Sequence, residues 1–163
     1  FLTQNCLLSH HQEFYILMNN QTIKSLSEQF ANIHFQSFNQ KNLRFTSKFI
    51  LSLLKQPNTS YIYKKNKGFC IFNQVKEESE IITMAILPKY QNQGIGFSII
   101  KELEEILLSM NCNKVYLEVA CDNLIAIRLY EKIGFKSYGI RKKYYSISKD
   151  KKIDAILMKK IME

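Results

Sequence analysis

A mixed α/β (α+β) fold is predicted by three observations. Apolar residues switch repeatedly between helical spacing and strand-like runs, and the switches fall at turn or cap residues such as Pro57, Asn123 and Gly134. No repeat, linker or low-complexity segment divides the chain. At 163 residues, 46% of them hydrophobic, it suits one domain with a real core, assigned to residues 18–163. Met18 resembles a natural start, so residues 1–17 are read as an upstream extension without a function.

The elements follow in order. Ile23, Leu26, Phe30, Ile33 and Phe38 lie near helical spacing and mark a first helix, and "FTSKFILSLLK" reads as a second, stopped before Pro57. "YIYKKNKGFCIFNQV" reads as two strands around a Lys-Asn-Lys-Gly turn, with Lys64, Lys65 and Lys67 at the hairpin tip; "SEIITMAIL" is a third, more buried strand. After "PKYQNQGIG", Ile95, Ile99, Leu103, Ile106, Leu107 and Met110 outline an amphipathic helix whose other face carries Lys101, Glu102 and Glu105. "KVYLEV" is a short strand. Asn123 caps a helix through "LIAIRLYEKI" that Gly134 ends, and "FKSYGIRKKYYSI" and "DAILMKKI" are strands joined by "SKDKK". The order is α-α-β-β-β-α-β-α-β-β.

Charge and cysteine usage narrow the function classes. The formal net charge of +9 favours phosphate-bearing partners, such as nucleic acid, ribosomes or nucleotide cofactors. Twenty of the 23 basic residues are Lys and only Arg44, Arg128 and Arg141 are Arg. Planar bidentate readout of bases prefers Arg, so the charge reads as a solvated Lys surface, and sequence-specific nucleic-acid binding is not expected. Cys6, Cys70, Cys112 and Cys121 form no CxxC pair, and the three histidines precede residue 35. Buried or semi-buried free thiols in a reducing cytosol are expected, with no metal site. No apolar run approaches the ~20 residues needed to cross a bilayer, and a cytoplasmic protein without a membrane partner is expected.

The loop carries two glycines one residue apart, at 94 and 96. The P-loop spacing is absent, and a dinucleotide fingerprint would need a third glycine where Ile99 stands. What the loop retains is a glycine-bearing turn opening a helix, whose amides and dipole favour an anion such as a pyrophosphate. A tight strand-to-helix connection without a ligand is the alternative. If an anion binds, side chains at 94 and 96 would block its approach, while Ile95 anchors the turn in the core.

Gln91-Asn92-Gln93-Gly94-Ile95-Gly96 matches Gln/Arg-x-x-Gly-x-Gly/Ala, and "LEVACDNLIAIRLYEKIGF" adds a strand, an Asn and a helix ending in Leu-Tyr-x-x-x-Gly-Phe. Together these resemble the two signature blocks of the GCN5-related N-acetyltransferases, the GNAT superfamily. More narrowly, "YLEV", Asn123, "LYEKIGF", "RKKYY" and "DAILM" are similar to RimI-type ribosomal-protein alanine N-acetyltransferases. The resemblance covers residues 18 to 163, is sharp from 84 to 158 and is weak in the N-terminal helices. It implies a mixed, largely antiparallel sheet flanked by helices, with acetyl-CoA bound at the strand-loop-helix of residues 81–110.

The resemblance also implies roles. Met84, Ala85 and Ile86 would bond the pantetheine arm through their backbone, one amide serving the oxyanion. Gln91, Asn92, Gln93, Gly94, Ile95, Gly96 and Phe97 would hold the pyrophosphate, and Asn123 would touch the cofactor. Many relatives carry Arg at the position of Asn92 and a polar or basic residue at Phe97, so this loop is expected to rely on amides plus Lys89 or Lys101. Tyr116 and Glu118 share one strand face, and Val115, Leu117 and Val119 the other. Glu118 is a rim ion-pair partner, with Lys114 or another Lys, or, by the resemblance, the general base that deprotonates the amine directly or through water. Tyr130 is a core aromatic or, by the resemblance, the acid that protonates the coenzyme A sulfur, its ordinary pKa near ~10 suiting a thiolate. Tyr144 and Tyr145 are strand aromatics or, by the resemblance, a pair gripping the acceptor's backbone. The implied reaction is direct acetyl transfer to a protein N-terminal amine, such as a ribosomal protein's. A small-molecule amine acceptor, or a ribosome- or nucleic-acid-associated module with a vestigial cofactor site, are the alternatives.

Overall fold

The computed structural model describes residues 20–38 and 43–162; the reading of 1–17 lies outside them. Helix α1 (Asn20–Ser37) presents Leu26, Phe30 and Ile33 to the interior. Helix α2 (Ser47–Leu54) starts where the Thr46 side chain accepts a hydrogen bond from the Phe49 N–H, an N-cap contact that supplies an acceptor for one of the helix's unpaired first-turn amides. Strands β1 (Thr59–Lys64) and β2 (Gly68–Val75) form the expected hairpin, whose turn places Asn66 at φ 57°. Strand β3 (Glu78–Ile86), helix α3 (Ile95–Ser109), strand β4 (Lys114–Ala120), helix α4 (Leu124–Ile133) and strands β5 (Lys136–Ser146) and β6 (Lys152–Ile161) complete the predicted order.

The six strands make one sheet in the order β1-β2-β3-β4-β6-β5, antiparallel throughout except for β3 and β4. That parallel pair is brief. It joins only Glu78–Ile81 to Lys114–Leu117, after which β3 runs on to Ile86 and β4 to Ala120 without pairing to each other. A bulge coincides with the parting: Ile71 pairs with Thr83 and Phe72 with Ile81, leaving Ile82 as the extra residue. Ile82 therefore packs toward α1, as does Thr83, whose hydroxyl meets buried His34.

Each sheet face has its own core. Helices α3 and α4 bury Ile99, Ile100, Leu103, Leu107, Tyr130 and Ile133 against Val115, Leu117, Val119 and Met158. Helices α1 and α2 cover only the β1-β2-β3 half of the opposite face, where Phe30 stacks on Phe69 at 4.2 Å. Two sequence expectations shift here. Met110 is exposed at the C-terminal cap of α3 and Ile100 takes the core place, while among the described cysteines Cys70 and Cys112 are buried and Cys121 is exposed. Buried Glu104, not singled out from sequence, joins Lys101 and Lys160, and Lys160 also donates to the Ile133 carbonyl. This contact ties α3 to β6 and to the end of α4.

Candidate active site

The connection after β3 ends in an N-terminal helix cap without a capping side chain. Gly94, at φ 78°, is the N-cap of α3, and Asn92 is also left-handed at φ 57°. Side-chain amides brace the turn: Gln91 donates to the Ile86 carbonyl at 2.9 Å and Gln93 to the Lys89 carbonyl at 2.8 Å. The first helical acceptor is the Gly94 carbonyl, bonded by the Ser98 N–H. Among the described residues, the six consecutive main-chain N–H groups of residues 92–97 therefore have no acceptor. Such a run at a helix N-terminus is a ready anion cradle.

The two glycines have different physical reasons. A Cβ on Gly94 would meet nothing within 4 Å, so its requirement is the positive φ. A Cβ on Gly96 would stand 2.8 Å from Leu129 Cδ2 and 3.7 Å from Met84 Cε. At 96 the glycine therefore also has a packing reason, since its close neighbour is α4. The two expected cations differ in their surroundings. Lys101 is engaged by Glu104, whereas Lys89 Nζ sits 5.0 Å above the Tyr90 ring at the start of the loop.

Glu118 emerges from β4 on the face that α1 and α2 leave uncovered, just beyond the last β3–β4 pair. Its partner is not the expected lysine: Arg141 Nη1 donates to Glu118 Oε1 at 2.7 Å. Arg141 also lies 4.7 Å from the Tyr144 ring, and the Tyr145 hydroxyl is 3.4 Å from the Glu118 carbonyl oxygen. A wide irregularity in β5 makes this gathering possible. Pairing jumps from Arg141–Ala155 to Tyr145–Ile153, Lys143 turns left-handed at φ 52°, and Asp154 accepts from the Lys143 N–H at 2.8 Å and the Lys142 ammonium at 2.9 Å. Lys142 and the Lys143 amide hold the Asp154 carboxyl below its ordinary pKa. Burial, then the Glu118 carboxylate, raises the Tyr145 phenol to about 12 and moves Tyr144 upward as well.

Tyr130 reaches the region from the other face. It is buried in the α3–α4 core with its ring 5.6 Å from Phe135, and among the described residues its hydroxyl has no hydrogen-bond partner. Burial raises its pKa well above the ordinary phenol value, with Cys70 and Tyr145 adding to the effect. The match to a thiolate expected from sequence is thus shifted: the proton is present at every working pH but is held more tightly. Asn123 caps α4 by accepting from the Ala126 N–H at 3.2 Å, which leaves its side-chain NH2 to donate elsewhere. Met84 and Ile86 border the α3–α4 core, Ala85 lies toward α1, and all three pair with β2 on one side while lying beyond the last β3–β4 pair on the other. Arg141 is the residue that sequence reasoning missed; its signal was rarity, one of three arginines in a Lys-rich chain.

The family model described as "Acetyltransferase (GNAT) family" matches residues 20–135. The [ribosomal protein bS18]-alanine N-acetyltransferase of Escherichia coli (strain K12) is 36% identical over 94 residues, 58% of this chain. The match spans 63% of that relative's length. Among solved structures, the ribosomal-protein-S18-alanine N-acetyltransferase from Escherichia coli superposes with a TM-score of 0.74 at 24% identity, covering 90% of this chain and 92% of that one. Arabidopsis thaliana NAA60 in complex with acetyl-CoA superposes at 0.70 and 20% identity, over 84% and 93%. Both structures share the fold described above.

Proposed function

Because this chain belongs to the acetyltransferase (GNAT) family, we propose that it transfers the acetyl group of acetyl-CoA to an amine, and that this amine is the N-terminal α-amine of a protein. The name of the Escherichia coli relative makes a ribosomal protein the leading acceptor. The observation that carries the reading is the opening between β3 and β4, with the amide run of residues 92–97 beyond one strand and Glu118 on the other.

Acetyl-CoA supplies an acyl thioester, and transfer forms a C–N bond as the C–S bond breaks. The amides of residues 92–97, spanning Gln93, Gly94, Ile95 and Gly96, hold the pyrophosphate, with the side-chain NH2 of Asn123 as a further donor. The exposed edge of Met84, Ala85 and Ile86 offers strand-like hydrogen bonds to an extended amide-bearing arm. One of these N–H groups stabilises the negative charge that gathers on the acyl oxygen. Glu118, oriented by Arg141, takes a proton from the α-ammonium and so leaves the neutral amine that attacks. An α-amine with a pKa near ~8 needs only modest help at neutral pH. Tyr130 gives its proton to the departing sulfur, and Tyr144 and Tyr145 flank the acceptor's backbone.

The direct test measures acetyl-CoA-dependent thiol release with N-terminal peptides, Lys-containing peptides and small amines. Turnover confined to free α-amines is the expected result. Turnover confined to small amines would reassign the acceptor, and absence of both turnover and acetyl-CoA binding would overturn the enzyme reading.

A further inference from the structure

On the same uncovered face as Glu118 lies an open pocket of about 320 Å³, lined among others by Asn73, Glu78, Glu80, Tyr116 and Tyr138. Strand register sets Asn73, Glu80 and Tyr116 side by side across β2, β3 and β4. Glu118 is the next residue on that face of β4, ~7 Å farther along the strand. The pocket therefore begins one pleat from the candidate base.

Its chemistry is that of an acceptor-rich hollow. Glu78 is shared with the Tyr116 hydroxyl at 3.3 Å and Lys114 at 3.5 Å. Glu80 has no ion-pair partner among the described residues, and its carboxyl is raised by burial and then by the Glu118 charge, with Arg141 opposing. Asn73 has its side-chain oxygen buried without a hydrogen-bond partner among the described residues. Tyr116 and Tyr138 meet edge to face at 6.0 Å, a pair of aromatic walls, and Lys159 Nζ lies 5.5 Å from the outer ring of Tyr138. Arg141 is committed to Glu118. A donor-rich cation with a flat or slender end satisfies these groups together: it neutralises Glu80, bonds the orphaned amide oxygen and packs against the rings. Lys114 and Lys159 offset the carboxylates at the rim, so the acceptor character is confined to Glu80 and the Asn73 oxygen.

We propose that this pocket receives an Arg or Lys side chain from the first three residues of the acceptor polypeptide, so that the chain selects amines followed closely by a positive charge. An extended chain rises about 3.3 Å per residue, so the ~7 Å between Glu118 and Tyr116 matches a side chain within that span. The proposal rests on the reading of Glu118 as the base of an amine acetyltransferase, and its test separates the two.

Peptides with N-terminal Ala and with Arg, Lys, norleucine or Glu at positions two and three are compared for thiol release at low and high salt. Their binding is measured by titration calorimetry with coenzyme A present. Basic peptides are expected to be favoured about tenfold over norleucine peptides, chiefly through KM, as for one hydrogen bond to a charged group. Glu80→Gln is expected to bring the ratio to near one, and Tyr138→Ala to reduce it. Acetylation of all peptides without a basic preference, or a preference that survives Glu80→Gln, overturns the pocket and leaves the chemistry standing. Glu80-dependent binding of basic peptides without turnover supports the pocket and overturns the acetylation reading. Acetylation of spermidine with neither binding nor turnover of any peptide overturns the proposal in favour of a small polyamine acceptor.

Discussion

Gly94 and Gly96 stand one residue apart and answer to different constraints, so their substitutions should diverge. Gly94→Ala forces an L-residue to φ 78° and should cost about 1–2 kcal/mol in stability while loosening the anion cradle. Gly96→Ala asks only the end of Leu129 to move and gains helix propensity, so it should be nearly neutral; Gly96→Val should cost about 1–3 kcal/mol by overpacking against Leu129 and Met84. Thermal unfolding beside acetyl-CoA titration separates these effects. Asn92 belongs to the same account. Its φ of 57° is one that Asn tolerates better than a long side chain does, so the residue that stands where the resemblance implies Arg also suits the turn. For the reaction, Glu118→Gln and Tyr130→Phe should each lower kcat by about 10²- to 10⁴-fold, with unfolding midpoints little changed. Near-normal turnover of Tyr130→Phe would leave that ring a packing residue.

At the scale of elements, the distortions matter as much as the regular pairing. The β5 irregularity hangs on Asp154, which accepts from both Lys142 and the Lys143 amide. Asp154→Ala should therefore lower kcat/KM through Arg141 and Tyr144, whereas Asp154→Asn, which can still accept the Lys143 N–H, should retain more of it. Equal activity in both variants would detach the bulge from the site. Elements were legible in the sequence because their ends carry local chemistry: Thr46 and Asn123 accept helix N–H bonds, and Gly134 turns left-handed at φ 103°. The bulges at Ile82 and Lys142–Tyr144 were not, since they arise from register between strands distant in sequence. For the same reason the spacing that aligned Glu118 opposite the apolar face of β4 said nothing of Arg141, which lies 23 residues on and two strands away.

At the scale of the whole molecule, a buried imidazole ties stability to pH. His34 accepts from the Phe45 N–H through Nδ1 and meets the Thr83 hydroxyl through Nε2, stacked between Phe38 and Phe45. This arrangement requires the neutral ring, and burial lowers its pKa from 6.5 to about 4. The unfolded chain binds the proton more readily, so the stabilisation is complete above about pH 6.5 and declines toward pH 4, by up to about 3 kcal/mol. Urea unfolding at pH 7 and pH 5 should register the loss. His34→Gln should be less stable at pH 7 yet show a flatter response across that window.

The short parallel ladder has a mechanical consequence for the same molecule. Four residue pairs, Glu78–Ile81 with Lys114–Leu117, are the strand pairing between a three-stranded half bearing β3 and the glycine loop that follows it and another three-stranded half bearing Glu118 and Arg141. The sheet thus has four edges instead of two, and the inner pair flank the opening. Main-chain amides of residues 82–86 that point into it should exchange with solvent as quickly as those of an outer strand, and slow sharply when acetyl-CoA is added. Deuterium uptake by that segment would then report how firmly the two halves are clamped, independently of whether an acceptor is present.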